Sequence, residues 1–184
     1  LNKSQSGETP MIIHDTQEID AFWKNACKAL DIEEDSRHTA LPFAECDEKD
    51  GERAETINYI GELAVKSLKR GTCHQAMQFE MDDVPMRRVG DYWIVVKVDG
   101  TPVCVVKIIG INIVPFNQVG PEFAASEGPE RGLIPSHENW SYGHRRYFKK
   151  QCEKWGVPWR EDNPVVCESF ITIYSPGYSL GIRD

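Results

Sequence analysis

Apolar residues recur at helical spacing in three stretches of this chain and at alternate positions in two others. In TQEIDAFWKNACKAL (16–30), Ile19, Phe22, Trp23, Ala26 and Leu30 follow helical spacing. Thr16 is placed to cap that helix, and Glu18 and Asp20 lie in its first turn, where the macrodipole favours acids. A second helix is expected over about 52–70, with Ile57, Ile60, Ala64 and Leu68 in one stripe and Leu63 beside it. Lys66, Lys69 and Arg70 gather toward its end, and Gly71 stands where a helix-stopping glycine is common. A third helix is expected between Ser136 as cap and Gly156 as stop, with Trp140, His144, Tyr147, Phe148 and Trp155 in an aromatic stripe.

The period changes to two in DYWIVVKVDGTPVCVVKIIGINIV. Tyr92, Ile94, Val96 and Val98 share one face, Asp99-Gly100 reads as a type I′ hairpin turn, and Val103, Val105 and Ile109 continue beyond it. PVVCESFITIYSP is a further strand, rich in β-branched and aromatic residues. The stretch 31–53 reads as an acidic loop with a short apolar interruption at 41–44, and a short helical piece is expected at 122–126. Strands in the middle with helices outside predict an α+β domain built on a small β-barrel or curved sheet. The expected organisation is a disordered lead-in or cloning remnant at 1–15 and a helix with its acidic loop at 16–50. A main domain at 51–176 and a tail at 177–184 complete it.

Bulk properties narrow the function. A net charge of −8 argues against a general nucleic-acid binder, though a nucleoside or nucleotide needs only a local site. No apolar run is long enough for a membrane span. Six cysteines show no C-x-x-C pair and no zinc-module spacing with histidine, so no metal and no other cofactor is expected. Free thiols and the absence of a signal pattern at the start point to the cytoplasm.

Within LKRGTCHQA (68–76), Lys69 and Thr72 stand three apart beside a helix end. A threonine hydroxyl becomes a nucleophile when a base takes its proton, and a neutral lysine amine can do so. The ordinary alternative is a solvated lysine followed by a strand-opening threonine. Glu127 lies in FAASEGPERG before Gly128, and glycine lets backbone approach a ligand. His74 shares Thr72's face if the segment is a strand, whereas alternation turns Cys73 away. His144 reads as a packed member of the aromatic stripe. Trp140 could stack a base, and Arg145, Arg146 and Lys149 could meet phosphates, although core packing and a solvated face are the common uses of such residues.

Five segments in order, LAVKSLKRGT, DGTPVCVVKIIGINIVPFNQV, EFAASEG, WSYGHRRYF and PVVCESF, resemble the ASCH superfamily of PUA-like domains over about 52–174. The resemblance implies a PUA-like barrel. Small bacterial members are amidohydrolases that remove the acetyl group of N(4)-acetylcytidine with a K-x-x-T pair and a distant Glu; others are described as RNA-binding or ribonuclease modules. By this likeness Lys69, Thr72 and Glu127 are the catalytic set; Gly71, His74, Gly128 and Trp140 are, from their own positions, the candidates to surround the substrate. The partner is then a nucleoside or a modified RNA base, with no membrane and no stated oligomeric state. Under the binding-module alternative Arg145, Arg146 and Lys149 would contact RNA. Two departures stand out: Ser67 where the family usually has Gly, and Pro129 after the Glu-Gly pair.

Overall fold

The computed structural model describes residues 16–44, 50–129 and 136–177. The expected lead-in at 1–15, the tail beyond 177 and Cys46 lie outside them. Among the described residues five α-helices and five strands follow in the order α1 (Gln17–Leu30), β1 (His38–Leu41), α2 (Gly51–Val65), β2 (Gly71–Gln75), α3 (Gln78–Met81), β3 (Tyr92–Val96), β4 (Pro102–Pro115), α4 (Pro121–Ser126), α5 (His137–Trp155) and β5 (Pro164–Tyr174). The strands form one mixed sheet in the order β1-β3-β4-β5-β2. β1 runs parallel to β3, and the other pairs are antiparallel.

The sheet is open among the described residues, with β1 and β2 at its two edges, so the expected barrel is not closed. β4 is long enough to pair β3 along its first half and β5 along nearly all of its length, with register shifts near Val105 and Ile108. β1 falls where a loop is expected: a strand of four residues carries too short an alternation to read.

Three apolar clusters cover the sheet. α1 lays Ile19, Trp23, Ala26 and Cys27 over Ala40, Ile94, Val96 and Val105. Ala64 of α2 packs with Trp93, Val95, Val106, Ile108 and Phe170. Trp140 and Phe148 of α5 and Ala124 of α4 close over Cys73, Val165 and Cys167. Ile94 and Val96 thus share the expected face, but Trp93 and Val95 are buried too, as fits a strand inside a sheet covered by helices on both sides. Val98 lies beyond the strand. The connection is not a type I′ turn, which needs positive φ at both central residues; of Asp99 and Gly100 only the glycine has it (87°). Gly100 N–H donates to Lys97 O, Lys97 N–H donates to Thr101 O, and Asp99 Oδ1 accepts from Thr101 N–H.

The cap residues behave as their chemistry dictates. Thr16 accepts from Ile19 N–H at 3.2 Å, Ser136 accepts from Asn139 N–H at 3.1 Å, and Gly156 ends α5 at φ 69°. The end of α2 departs from expectation. It stops five residues before the predicted position, and Ser67, not Gly71, takes the left-handed conformation at φ 57°. Leu68 N–H donates to Leu63 O and Ser67 N–H to Ala64 O, the paired bonds of a Schellman motif. A serine in that conformation is strained where glycine is not. Ser67→Gly is therefore expected to raise stability by about 0.5–1 kcal/mol, after the added flexibility of the unfolded chain is offset. Urea unfolding with an unchanged m-value checks it; a lower midpoint would contradict the strain.

Candidate functional site

The early stop of α2 frees 68–70 to run as a link into β2, and this link carries Lys69 against the end of α4. Arg70 N–H donates to Ser126 O at 2.6 Å. Two glycines permit the approach. A Cβ on Gly71 would run into the Ser126 hydroxyl, and one on Gly128 (φ 86°) would meet the Leu68 carbonyl oxygen at 3.0 Å. Segments 68–71 and 126–128 therefore dock backbone to backbone, and residues 58 positions apart meet: Lys69 Nζ donates to Glu127 Oε2 at 2.7 Å. Their side chains are 5% and 9% exposed.

Two more groups meet the other oxygen of Glu127. Trp140 Nε1–H donates to Oε1 at 3.0 Å, and His144 Nε2 stands 3.3 Å from it. Burial by itself pushes this carboxyl up. The charges of Lys69 and His144, with their hydrogen bonds, outweigh burial and hold it well below the usual carboxylate range. These partners favour the ionised carboxylate although its side chain is largely buried.

Lys69, Thr72, Glu127, Gly128, Trp140 and His144 line a single cavity of about 1050 Å³ between α2, β2, the end of α4 and α5. Its volume suits a ligand of nucleoside size or larger. Among the described residues no group of three or more His, Cys, Asp or Glu could hold a metal ion. The five described cysteines are free and buried. Cys73 also borders the cavity, but it belongs to the Trp140–Phe148 cluster and faces Cys167 across the sheet. Hydrogen bonding with Cys167 and burial push its thiol far up, which makes it a poor rival to Thr72 as nucleophile.

Other candidates stand elsewhere. Gly71 shapes the approach described above without lining the cavity. His74 shares a face with Thr72, yet it does not line the cavity and joins a second buried charge cluster. There Arg87 Nε and Nη2 donate to Glu168 Oε2 at 3.1 and 2.6 Å, and His74 Nε2 lies 3.7 Å from the same oxygen. Glu168 is Thr72's register partner on β5, and the Arg87 guanidinium lies 4.1 Å over the Trp93 ring. Trp140 is not free to stack a base: its ring packs on His144 at 4.2 Å and Phe116 at 5.7 Å, and its N–H is engaged by Glu127. Arg145 is committed to Glu161 at 2.8 and 3.1 Å. Arg146 borders a shallower depression next to the cavity together with Arg53 and Lys150, and Lys149 is exposed outside both.

His144 and the Arg87–Glu168 pair are the functional-looking groups that sequence reasoning passed over. His144 follows Trp140 by four positions, the helical spacing that stacks the two rings, and that spacing was readable. Arg87 carried no signal, because its partner is on a strand 81 residues away.

Among the described residues no helix is long and apolar enough to cross a membrane. No curated protein matches the chain. The ASCH domain of Lactobacillus crispatus JV V101 is 26% identical, with a TM-score of 0.73 over 86% of this chain and 96% of that one. Protein EF3133 of Enterococcus faecalis V583 shares the fold at 22% identity, with a TM-score of 0.71 over 88% and 96%. The family model of the ASCH domain matches residues 49–174, about two-thirds of the molecule, with Lys69, Thr72, Glu127, Trp140 and His144 among them, and the chain belongs to that family.

Proposed function

We propose that this protein is an amidohydrolase that removes an acyl group from the exocyclic amine of a modified nucleoside such as N(4)-acetylcytidine. The observation that carries the reading is the buried Lys69–Glu127 pair in the lining of the cavity that Thr72 also borders. A buried ion pair is costly as a stabilising device, which makes a pair lining a cavity a candidate for chemistry.

Thr72 Oγ attacks the acyl carbonyl carbon while neutral Lys69 takes the hydroxyl proton. The C–N bond breaks, and the leaving nitrogen receives that proton from Lys69. Water then cleaves the Thr72 ester, giving its proton through Lys69 to Thr72 Oγ, and the acid departs. Glu127 aims Lys69. The test is incubation with N(4)-acetylcytidine, following cytidine by chromatography. Release at a rate proportional to enzyme is expected. Its absence from folded protein, across acetyl and longer acyl groups, would remove this reading.

One feature favours a second reading, an RNA- or nucleotide-binding module. The depression holding Arg53, Arg146 and Lys150, with Asp50 and Glu52 also in its lining, adjoins the cavity. A phosphate on the substrate's sugar could reach those side chains, and binding through them would weaken with salt. Affinity for short RNA that is indifferent to salt and to Arg146→Ala would count against it.

A further inference from the structure

The proposed base carries a difficulty. Lys69 touches an ionised carboxylate at 2.7 Å, and a lysine in such a pair is a cation. If it simply lost its proton, Glu127 would be left as a buried anion short of a countercharge.

His144 bears on this. Its Nδ1 stands 3.0 Å from the Trp140 carbonyl oxygen one turn back, and its Nε2 stands 3.3 Å from Glu127 Oε1. Both neighbours are acceptors. A neutral imidazole has one N–H and would turn a lone pair toward the other oxygen; only the doubly protonated ring suits both. The stack on Trp140, 4.2 Å between centroids and 25° between planes, and the edge contact with Phe148 hold the ring in this orientation. With the ring doubly protonated, Glu127 would have a cation on each oxygen, Lys69 on Oε2 and His144 on Oε1.

We propose that His144 is a positioning residue of this site: as an imidazolium it retains the charge balance of Glu127 when Lys69 releases its proton to solvent, so that the neutral Lys69 can then serve as the base. This rests on the hydrolase reading above. The reaction leaves the His144–Glu127 pair unchanged, and the Thr72 proton travels through Lys69 to the leaving nitrogen. Other titratable groups on the cavity are Glu52, Arg53, Glu55 and Tyr59 from α2, Cys73 from β2, and His137 and Tyr147 from α5.

Two measurements test it. The first is NMR of the imidazole nitrogens in the protein without substrate, followed across pH. In Lys69→Met, His144 becomes the carboxylate's one close cation and is expected to stay protonated to higher pH than in the wild type, by about 1 unit or more. In Glu127→Gln it is expected to lose its proton at lower pH by a similar amount. The two variants shift in opposite directions, so either one that folds decides the question; an unmoved His144 overturns the proposal.

The second measurement is the rate–pH curve with N(4)-acetylcytidine. His144→Gln, whose amide can still donate to Glu127, is expected to lower kcat about tenfold or more near neutral pH with KM little changed, and to move the rising limb upward by about 1 unit. A loss of kcat with the limb unmoved means that His144 only packs, and overturns the proposal. If the wild type turns over no acylated nucleoside, the hydrolase reading fails while the NMR shifts still decide how the charge is shared.

Discussion

Thr72→Val is expected to reduce cytidine release from N(4)-acetylcytidine at least about a thousandfold, the scale on which removal of a nucleophile acts. Valine is the informative replacement. It keeps the β-branched shape that suits β2 and removes only the hydroxyl, so the buried position is not emptied. Thr72→Ser restores a hydroxyl and is expected to recover measurable turnover. Steady-state kinetics on the three proteins, with matched circular dichroism, decides it. A valine variant that retains a tenth of wild-type kcat would exclude Thr72 as the nucleophile. Lys69→Ala is a less clean probe, since it removes a buried cation from Glu127 and costs stability as well as activity.

Arg87→Met is expected to destabilise the fold by about 3–5 kcal/mol, the range for breaking a buried ion pair from one side. Glu168 is fully buried and Arg87 is 4% exposed. Burial alone pushes the Glu168 carboxyl up, yet the Arg87 charge, with help from His74, holds it down at about 2. The sign of the pH dependence follows. A carboxyl lowered on folding contributes stability above its unfolded value near 4.5, and that contribution is lost as pH falls toward 2. The amount is about 3 kcal/mol. In Arg87→Met nothing offsets burial to the same degree, and protonation should relieve the variant. The stability gap between wild type and variant is therefore expected to narrow as pH falls from neutral to about 3. Urea unfolding at several pH values measures it; a constant gap would mean that Arg87 contributes by packing on Trp93 and not by its charge. Because Glu168 faces Thr72 across β2 and β5, folded variant protein is also expected to lose activity.

Much of the architecture is written in local patterns. The 3.6-residue period places α1 and α5, and Thr16 and Ser136 cap them because a side-chain oxygen there meets an orphan N–H. Alternation places β3, β4 and β5 and marks a face of β3 that packs under α1. Lys69, Thr72 and Glu127 were singled out by residue type, by a nearby glycine and by family likeness. None of these facts says that Lys69 and Glu127 touch.

The remainder was decided by tertiary structure, for reasons that have no local signature. α2 stops early because Ser67 adopts a left-handed turn, a conformation that the sequence advertises only when glycine occupies it. That stop releases the link carrying Lys69, and Gly71 and Gly128 let it lie against the end of α4. β1 became a strand because β3 offered it an edge, and the sheet stayed open because β1 and β2 ended on opposite sides of it. His144 became a partner of Glu127 through helix geometry and a carboxylate on another element, and Arg87 met Glu168 across 81 positions. Local sequence determined most of the helices and strands, β1 and the end of α2 excepted, and which residues could do chemistry. The positions of charges relative to one another depend on long-range packing, and that packing made a set of separate candidates into one site.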